Sequence, residues 1–546
     1  MTPILTFHGA AGCVTGFCAA LTTAHSTVLI DCGMFQGSKT LKALNYDDFP
    51  FDAGKVDAVL LTHAHIDHSG LLPKLMRAGF NGPIYATAGT RDLCAVMLPD
   101  SAHIQESEVD QLNRRNQRRG RPEVEPIYTT RDAERCLRQF AKIKLGDEVD
   151  IAPGLRARWW NAGHILGSAS IEVIVDADDG PMRLLFSGDL GPGGRDYAAD
   201  PQSPAGVDHL IIESTYGDRE RDDPTPEQRR AILAEELRGA KAAGGPLLIP
   251  AFAVERTQEL LADLLQVMEE SPDVAGEIFL DSPLAIEATE VFLRRGWNPA
   301  TERNPFEDIL GAQRLRFLRK PMESDKLERI KGWHVILAAS GMCDAGRVRK
   351  HLKRLLWRRE ATVLLAGFQA GGTLGRLLHD GEKNVRIQGE AITVRARIRD
   401  IDVYSGHADA RGLVDWAKAR QPVAGTVFVA HGEPAASAAL KQNLAAAGFA
   451  ADSIAIPEMD EAFSLSRTAS TPLSGRKARI APEAPSRPDW HNIRAAFLGE
   501  LNARLDAAPG DAARQALLTD MVEQLRHTVQ HDTARDRSSP ERPVAL

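Results

Sequence analysis

Short apolar runs that end in glycine, aspartate or histidine recur through the first 214 residues of the chain. Thr27-Val28-Leu29-Ile30-Asp31, Val59-Leu60-Leu61 and Ile171-Glu172-Val173-Ile174-Val175 are of this kind. Runs of four to eight such residues, closed by a turn former, predict strands. Ile4 to Leu21, broken by His8 and several glycines, reads as strand, turn, strand. Leu71 to Ala78 and Thr130 to Lys142 read as helices between strands, so the patterning is α/β. From Thr215 to Val394 the alternation becomes more regular. Helices over Glu227 to Ala243 and Thr257 to Glu269 interleave with the strands 246–250, 277–280, 335–338 and 362–366. The uninterrupted apolar character of these strands predicts a parallel sheet covered on both faces. Val427-Phe428-Val429 lies beyond this block and resembles the strands before it. The expected division is therefore 1–214, an inserted unit at 215–394, a return to the first unit at 395–466, and a linker with a helical extension at 467–546.

In the extension, Ser466 to Pro488 is rich in serine, proline and arginine. Trp490, Ile493, Phe497 and Leu501 then repeat at helical spacing, as do Leu517, Met521, Val522 and Leu525, and Pro509-Gly510 separates the two sets. The polar tail from His531 reads as disordered.

Chemistry enters at the strand ends. His63-Ala64-His65-Ile66-Asp67-His68 follows Val59-Leu60-Leu61 directly. Three imidazoles and a carboxylate within six residues cannot all face one way on a helix or strand, but on a loop they can divide between two adjacent cations. Imidazole nitrogen with a few carboxylate oxygens suits zinc and related transition metals. His164 in Ala162-Gly163-His164, Asp189 in Ser187-Gly188-Asp189 and His431 in Ala430-His431-Gly432 stand in similar settings. Each closes an apolar run with glycine beside it, as ligands and catalytic groups do at the carboxyl ends of strands in open α/β sheets.

Composition narrows the picture. The 546 residues are 43% hydrophobic and carry a net charge of -8, which supports real cores and does not announce a nucleic-acid binder. Basic residues nevertheless cluster in two runs. One is Arg114, Arg115, Arg118, Arg119 and Arg121; the other spans Arg347, Arg349, Lys350, Lys353, Arg354, Arg358 and Arg359. In the second, Arg347, Lys350 and Arg354 share a helical face. Two glycine-bearing turns, around Ser340-Gly341-Met342 and Gly367 to Thr373, suit anions at helix starts. Six cysteines without CxxC spacing read as reduced thiols, and no apolar run approaches the roughly 20 residues of a membrane span. The expected location is the cytoplasm.

Through His63, His65, Asp67, His68, His164 and Asp189 the chain resembles the metallo-β-lactamase fold hydrolases. Through Glu213 (in Glu213-Ser214-Thr215-Tyr216-Gly217), His407 (in Ser405-Gly406-His407-Ala408-Asp409) and His431 it is similar to their β-CASP branch of RNA- and DNA-processing nucleases. Bacterial and archaeal RNA-processing members, and the endonuclease subunit of the eukaryotic pre-mRNA 3′-end cleavage complex, are the members it looks most like. The resemblance covers residues 1 to 466. It implies a metallo-β-lactamase αββα sandwich carrying an inserted α/β β-CASP cap. It further implies His63, His65 and His164 at one metal, Asp67, His68 and His431 at a second, and Asp189 bridging them. Two zinc ions are expected, with manganese as the alternative. Asp67, Glu213 and His407 are the implied catalytic residues, with His407 as the acid that protonates the leaving 3′-oxygen and Glu213 orienting it. Ser405, Ser340 and Arg347 are candidate phosphate contacts, the basic run from Arg347 reads beside such a site as a contact to an RNA backbone while the run from Arg114 is open, and Asp31 orients a ligand histidine. Histidine at position 431 points to single-stranded RNA, cleaved to 5′-phosphate and 3′-hydroxyl ends; a DNA nuclease or a small-molecule hydrolase of the same fold is the alternative. A homodimer is left open. The family's amino-terminal turn often has serine where this chain has Phe17, which is expected to alter substrate contacts at the site entrance but not metal binding.

Overall fold

The structure is a computed structural model. It describes residues 2–475 except 178–179, 196–198, 222–223, 297–302, 368 and 370–372, and after them 478–480, 497, 500–501 and 504–532. Two sheets pack face to face. The first orders its eight strands 469–472, 461–466, 4–9, 18–22, 27–30, 58–60, 84–87 and 140–143. The second orders seven: 454–455, 427–430, 209–213, 180–186, 169–177, 155–161 and 148–152. Successive side chains of a strand point to opposite faces. Val28, Ile30, Ala58 and Leu60 accordingly enter the core between the sheets with Trp159, Ile171, Val173, Phe186 and Phe428. Leu29, Val59 and Leu61 face outward and are covered by the helices that carry Leu72, Leu75, Leu93 and Leu98. Burial on both faces explains why these strands read as continuous apolar runs. This is the αββα sandwich.

Strands 27–30, 58–60, 84–87 and 140–143 run parallel, as do 180–186, 209–213 and 427–430. Their carboxyl ends therefore gather at one rim. Leu210 to Glu213 pairs in register with Val427 to Ala430, which closes the second sheet across everything between them in sequence.

That intervening chain forms a third sheet of six strands in the order 315–317, 278–280, 335–338, 247–250, 362–365 and 397–400, with every recorded pairing parallel. The strands Leu247–Pro250, Val335–Ala338 and Thr362–Leu365 are buried throughout. Arg397–Asp400 lies past residue 394, where the apolar pattern closes the insert, yet it pairs with Thr362–Leu365. Its charged, mostly exposed side chains suit an edge strand. One apolar cluster continues from Leu72, Leu93 and Leu98 to Leu233, Leu260, Leu264 and Phe292, so the insert shares a core with the sandwich.

Two elements differ from the pattern. The helix from Thr130 ends at Cys136, and Phe140–Ile143 is instead a strand paired in parallel with Ile84–Thr87. Ala88–Arg118 is a 31-residue helix that the apolar period does not announce, because it contains Pro99 and buries few of its side chains. In the extension, Asp511–Asp532 is helical, whereas Trp490 and Ile493 lie outside the described residues. All six cysteines are buried and unbridged. Among the described residues no helix is long and apolar enough to cross a membrane.

The long helix packs on the insert helix Pro283–Arg295. At this seam burial, reinforced by the Glu287 charge, pushes the Asp100 carboxyl up to about 6 from 3.8. The folded state therefore retains a proton that the unfolded chain releases, and stability is lost as pH rises from about 4 through 6. Asparagine resembles the neutral acid and escapes that loss. Asp100→Asn is expected to stabilise the protein by about 1–2 kcal/mol at pH 7, allowing for partial exposure, and by little at pH 4. Urea unfolding at the two pH values measures the difference, and an equal effect at both would contradict the assignment.

Candidate metal centre

Each donor group stands where a strand of the sandwich ends. Ala58–Leu60 leads to His63, Leu155–Asn161 to His164, Gly180–Phe186 to Asp189 and Val427–Ala430 to His431. His65 opens the short helix Ile66–Ser69, which places Asp67 in its first turn and His68 in its last. The loops carrying His164 and Asp189 touch backbone to backbone: a Cβ on Gly191 would lie 1.8 Å from the Gly163 carbonyl oxygen. Asp31 and His431 take positive φ angles of 61° and 51°, a region that side chains with a Cβ rarely adopt and that is found where a site is held by its surroundings.

The seven ligand candidates converge. The donor atoms of His63, His65, His164 and Asp189 lie within 4.8 Å of one another, as do those of Asp67, His68 and His431. Asp189 faces both groups. Its Oδ2 is 3.4 Å from His63 Nε2 and 3.6 Å from His164 Nε2, and its Oδ1 is 3.3 Å from His68 Nε2 and 3.7 Å from His431 Nδ1. Ring nitrogens meet ring nitrogens: His63 Nε2 and His65 Nδ1 are 3.2 Å apart, His164 Nε2 and His65 Nδ1 3.1 Å, and His68 Nε2 and His431 Nε2 3.1 Å.

Four of these imidazoles have their other nitrogen fixed by the protein. His68 Nδ1 donates to Asp31 Oδ2 at 2.7 Å and His164 Nδ1 to the Gly406 carbonyl at 2.7 Å. His63 Nδ1 lies 3.0 Å from Thr62 Oγ1, and His431 Nδ1 lies 3.2 Å from Thr215 Oγ1. Such outer partners set the tautomer and aim the remaining nitrogen. Asp31 is itself held by the Thr62 amide and hydroxyl, both at 2.7 Å. The buried Asp189 Oδ1 has no hydrogen-bond partner. Converging imine nitrogens and an orphaned carboxylate oxygen are a donor set that a divalent cation satisfies and a hydrogen-bond network does not.

Electrostatics divide the rings: at His68 burial is outweighed by Asp189 and Asp31, which raise it well above its ordinary value, while three others go the opposite way. Burial, reinforced by the charge of His68, pushes His63 down to about 3; burial likewise takes His65 down to about 4 and His164 well below its ordinary value. These three rings are neutral at pH 7, the form that binds metal. Burial opposes ionisation of Asp189, but His431, His68 and His63 outweigh it and hold the carboxyl well below the usual range.

A second pair adjoins the cluster. His407 Nδ1 lies 3.1 Å from both oxygens of the buried Glu213, and His407 Nε2 is 4.0 Å from Asp189 Oδ2. Glu213 is pinned by the Leu190 amide at 2.6 Å. Burial would lower the His407 imidazole, but the Glu213 charge and hydrogen bond prevail and raise it above 6.5. Ser405, nearly buried, accepts from the His407 amide at 3.3 Å.

Of the other two phosphate candidates, Arg347 is engaged elsewhere. Arg347 donates to Asp281 at 2.6 Å and to the Leu318 and Arg319 carbonyls at 2.8 Å, all within the insert. Ser340 lies on the same turn, its amide bonded to Ala345. Neighbouring positions of this basic run are ion-paired too: Lys353 with Glu390 at 2.5 Å, Arg354 with Glu328 at 3.4 Å and Arg358 with Glu360 at 2.8 Å. Phe17 is buried rather than exposed at an entrance; its ring stacks on His68 with centroids 5.5 Å apart.

Sequence reasoning missed the residues that hold the His407 segment. Arg195 reaches from the sandwich to Glu255 and Glu259 of the insert, 2.9 Å from each, and donates to the Ser405 carbonyl. Arg229 extends the network to Glu259 at 2.9 Å and Asp263 at 2.7 Å, and Tyr404 donates to Asp263 at 2.9 Å. Glu255 sits at φ 71°, where a glycine would be unstrained. Nothing in the local pattern at Arg195 or Glu255 signals this role, because the partners are about 60 and 210 residues away.

Three family descriptions match the chain. Residues 11–226 match the metallo-beta-lactamase superfamily, 257–378 the Beta-Casp domain, and 391–456 the Zn-dependent metallo-hydrolase RNA specificity domain. The chain is 35% identical to Ribonuclease TTHA0252 of Thermus thermophilus over 81% of its own length and 95% of that relative. It is 30% identical to the transcription termination factor FttA of Cenarchaeum symbiosum over 79% of this chain and 66% of the relative. The FttA of Methanocaldococcus jannaschii is also 30% identical, over 79% of this chain and 67% of the relative, so the match spans about two thirds of these archaeal proteins.

Arg195 is 7% exposed, and its removal takes a charge partner from two buried carboxylates, of which Glu259 keeps Arg229. Arg195→Met is expected to destabilise the protein by about 3–5 kcal/mol, read from urea unfolding; a loss below about 1 kcal/mol would mean that the ion pairs behave as exposed ones.

Proposed function

The chain belongs to the β-CASP ribonucleases of the metallo-β-lactamase superfamily, and we propose that it hydrolyses single-stranded RNA with two zinc ions, leaving 5′-phosphate and 3′-hydroxyl ends, in RNA processing or decay. The observation that carries this reading is the Glu213–His407 pair set directly against the imidazole–carboxylate cluster, with a histidine at 431. An RNA specificity domain matched over 391–456, which contains both His407 and His431, supports RNA as the polymer.

His63, His65 and His164 would hold one cation and Asp67, His68 and His431 the other, with Asp189 available to both. When bound, the cations lower the pKa of water and offset charge on the scissile phosphate. Asp67 stays ionised, because His431 and His68 outweigh its burial, and it orients the attacking water. The water gives one proton to solvent, and the resulting hydroxide bonds to phosphorus as the bond from phosphorus to the 3′-oxygen breaks. The departing oxygen takes its proton from His407 Nε2. Glu213 accepts from Nδ1, which keeps that imidazolium available at neutral pH. Ser405 contacts a non-bridging phosphate oxygen.

His407→Ala is expected to lower kcat on a 5′-labelled single-stranded RNA by about 10²–10⁴-fold with bound zinc unchanged, and a matched DNA strand is cut weakly. Equal cleavage of both polymers would assign a nuclease indifferent to the sugar; no cleavage of either by metal-replete protein would overturn the nuclease reading. Elemental analysis after dialysis against zinc is expected to give two ions per chain, and fewer for Asp189→Ala; an unchanged content in the variant would remove Asp189 from the ligand set.

A further inference from the structure

The helix Ala88–Arg118 begins at the metal centre and ends far from it. Thr87 and Thr90 donate to the Gly167 carbonyl at 2.6 and 2.8 Å, which docks its first turn on the loop that carries His164. Further along it crosses the seam between sandwich and insert: Asp92 pairs with Arg295 at 2.8 Å and Glu108 with Arg349 at 3.8 Å. At 1.5 Å per residue its 31 residues carry the far end about 45 Å from its start.

That end carries Arg114, Arg115, Arg118, Arg119 and Arg121, every one of them exposed. Among the described residues none of the five has an ion pair with a carboxylate, whereas the second basic run is neutralised along most of its length. The helix dipole favours a cation or two at a carboxyl terminus and leaves the repulsion among five unrelieved. The chain nonetheless builds a fixed platform for them. Asn116, 9% exposed, donates to the Pro122 carbonyl at 3.0 Å, and its own carbonyl accepts the Arg119 and Arg121 amides at 2.9 Å. Asn113 bonds Val124 through both its amide atoms at 2.9 Å, and Gly120 makes the turn at φ 61°. In a protein of net charge -8, this is a compact positive site on an ordered scaffold.

We propose that the arginine-bearing end of this helix is a second RNA-binding site, which holds the substrate's phosphate backbone about 45 Å from the end that docks on the His164 loop. The inference rests on the ribonuclease reading above. Guanidinium groups without a base-reading surface select phosphates rather than sequence. A stacked strand advances about 3.4 Å per nucleotide, so RNA of about 13 nucleotides or more reaches both sites at once. The second contact then acts as an intramolecular one and lowers KM for long RNA alone.

The test compares wild type with Arg115→Ser/Arg118→Ser/Arg119→Ser on a 6-nucleotide and a 30-nucleotide single-stranded RNA. The variant is expected to raise KM on the long RNA about tenfold and to leave kcat and cleavage of the short RNA unchanged. The dependence of its affinity on salt is expected to flatten by roughly 0.7 for each phosphate that is no longer neutralised. RNA cleavage with the same KM for the long substrate in both proteins would overturn the second site while the ribonuclease reading stands. If neither RNA is cut, the ribonuclease reading falls, and fluorescence anisotropy with the 30-nucleotide RNA still decides the second site: equal affinity of the two proteins overturns it, and weaker binding by the variant supports it.

Discussion

Lone pairs that point at one another set the terms for this molecule. At the rim of the sandwich, imidazole nitrogens approach to 3.1–3.2 Å and a carboxylate lies 3.3–3.7 Å from four of the rings. In water such groups would turn away from each other. Here they cannot, because each is mounted at the end of a buried strand and most have their other polar atom bonded to a fixed partner. The arrangement is held by the fold and satisfied by positive charge, which is why parallel strands, sharp loops and two positive-φ residues coincide at one edge.

The same edge depends on both halves of the chain. His164 is oriented by a carbonyl from the segment that also carries His407, and that segment is gripped by Arg195, whose other partners belong to the inserted sheet. The insert is therefore more than a cover. Its buried acids keep the Tyr404 to His407 stretch in place through an arginine of the sandwich, and a shared apolar core fixes the seam alongside.

Much of this is legible in the amino-acid sequence. Polar residues that close apolar runs, with glycine next to them, mark ligands because only a strand-end loop lets several such side chains converge; all seven do. The strands of the insert read correctly as a parallel sheet because burial on both faces leaves no polar alternation. What escapes depends on distance in sequence. The basic run from Arg347 looks available to RNA, yet its partners Glu108, Asp281, Asp325 and Glu390 come from elsewhere in the chain. The Ala88–Arg118 helix escapes because Pro99 and a thin apolar face break the period that announces helices. Family resemblance places Phe17 at an entrance, and its apolar ring instead packs behind a ligand.

The pairing of strand 209–213 with 427–430 has a temporal consequence. His68 and His431, whose rings meet in the site, are 363 residues apart. At a synthesis rate of about 5–20 residues per second, roughly 20–70 seconds separate their emergence from the ribosome. Throughout that interval the nascent chain is tethered to its own messenger with an incomplete donor set. In a protein that cuts RNA, the order of the sequence thus leaves this cluster of donors incomplete until the chain has been made as far as His431.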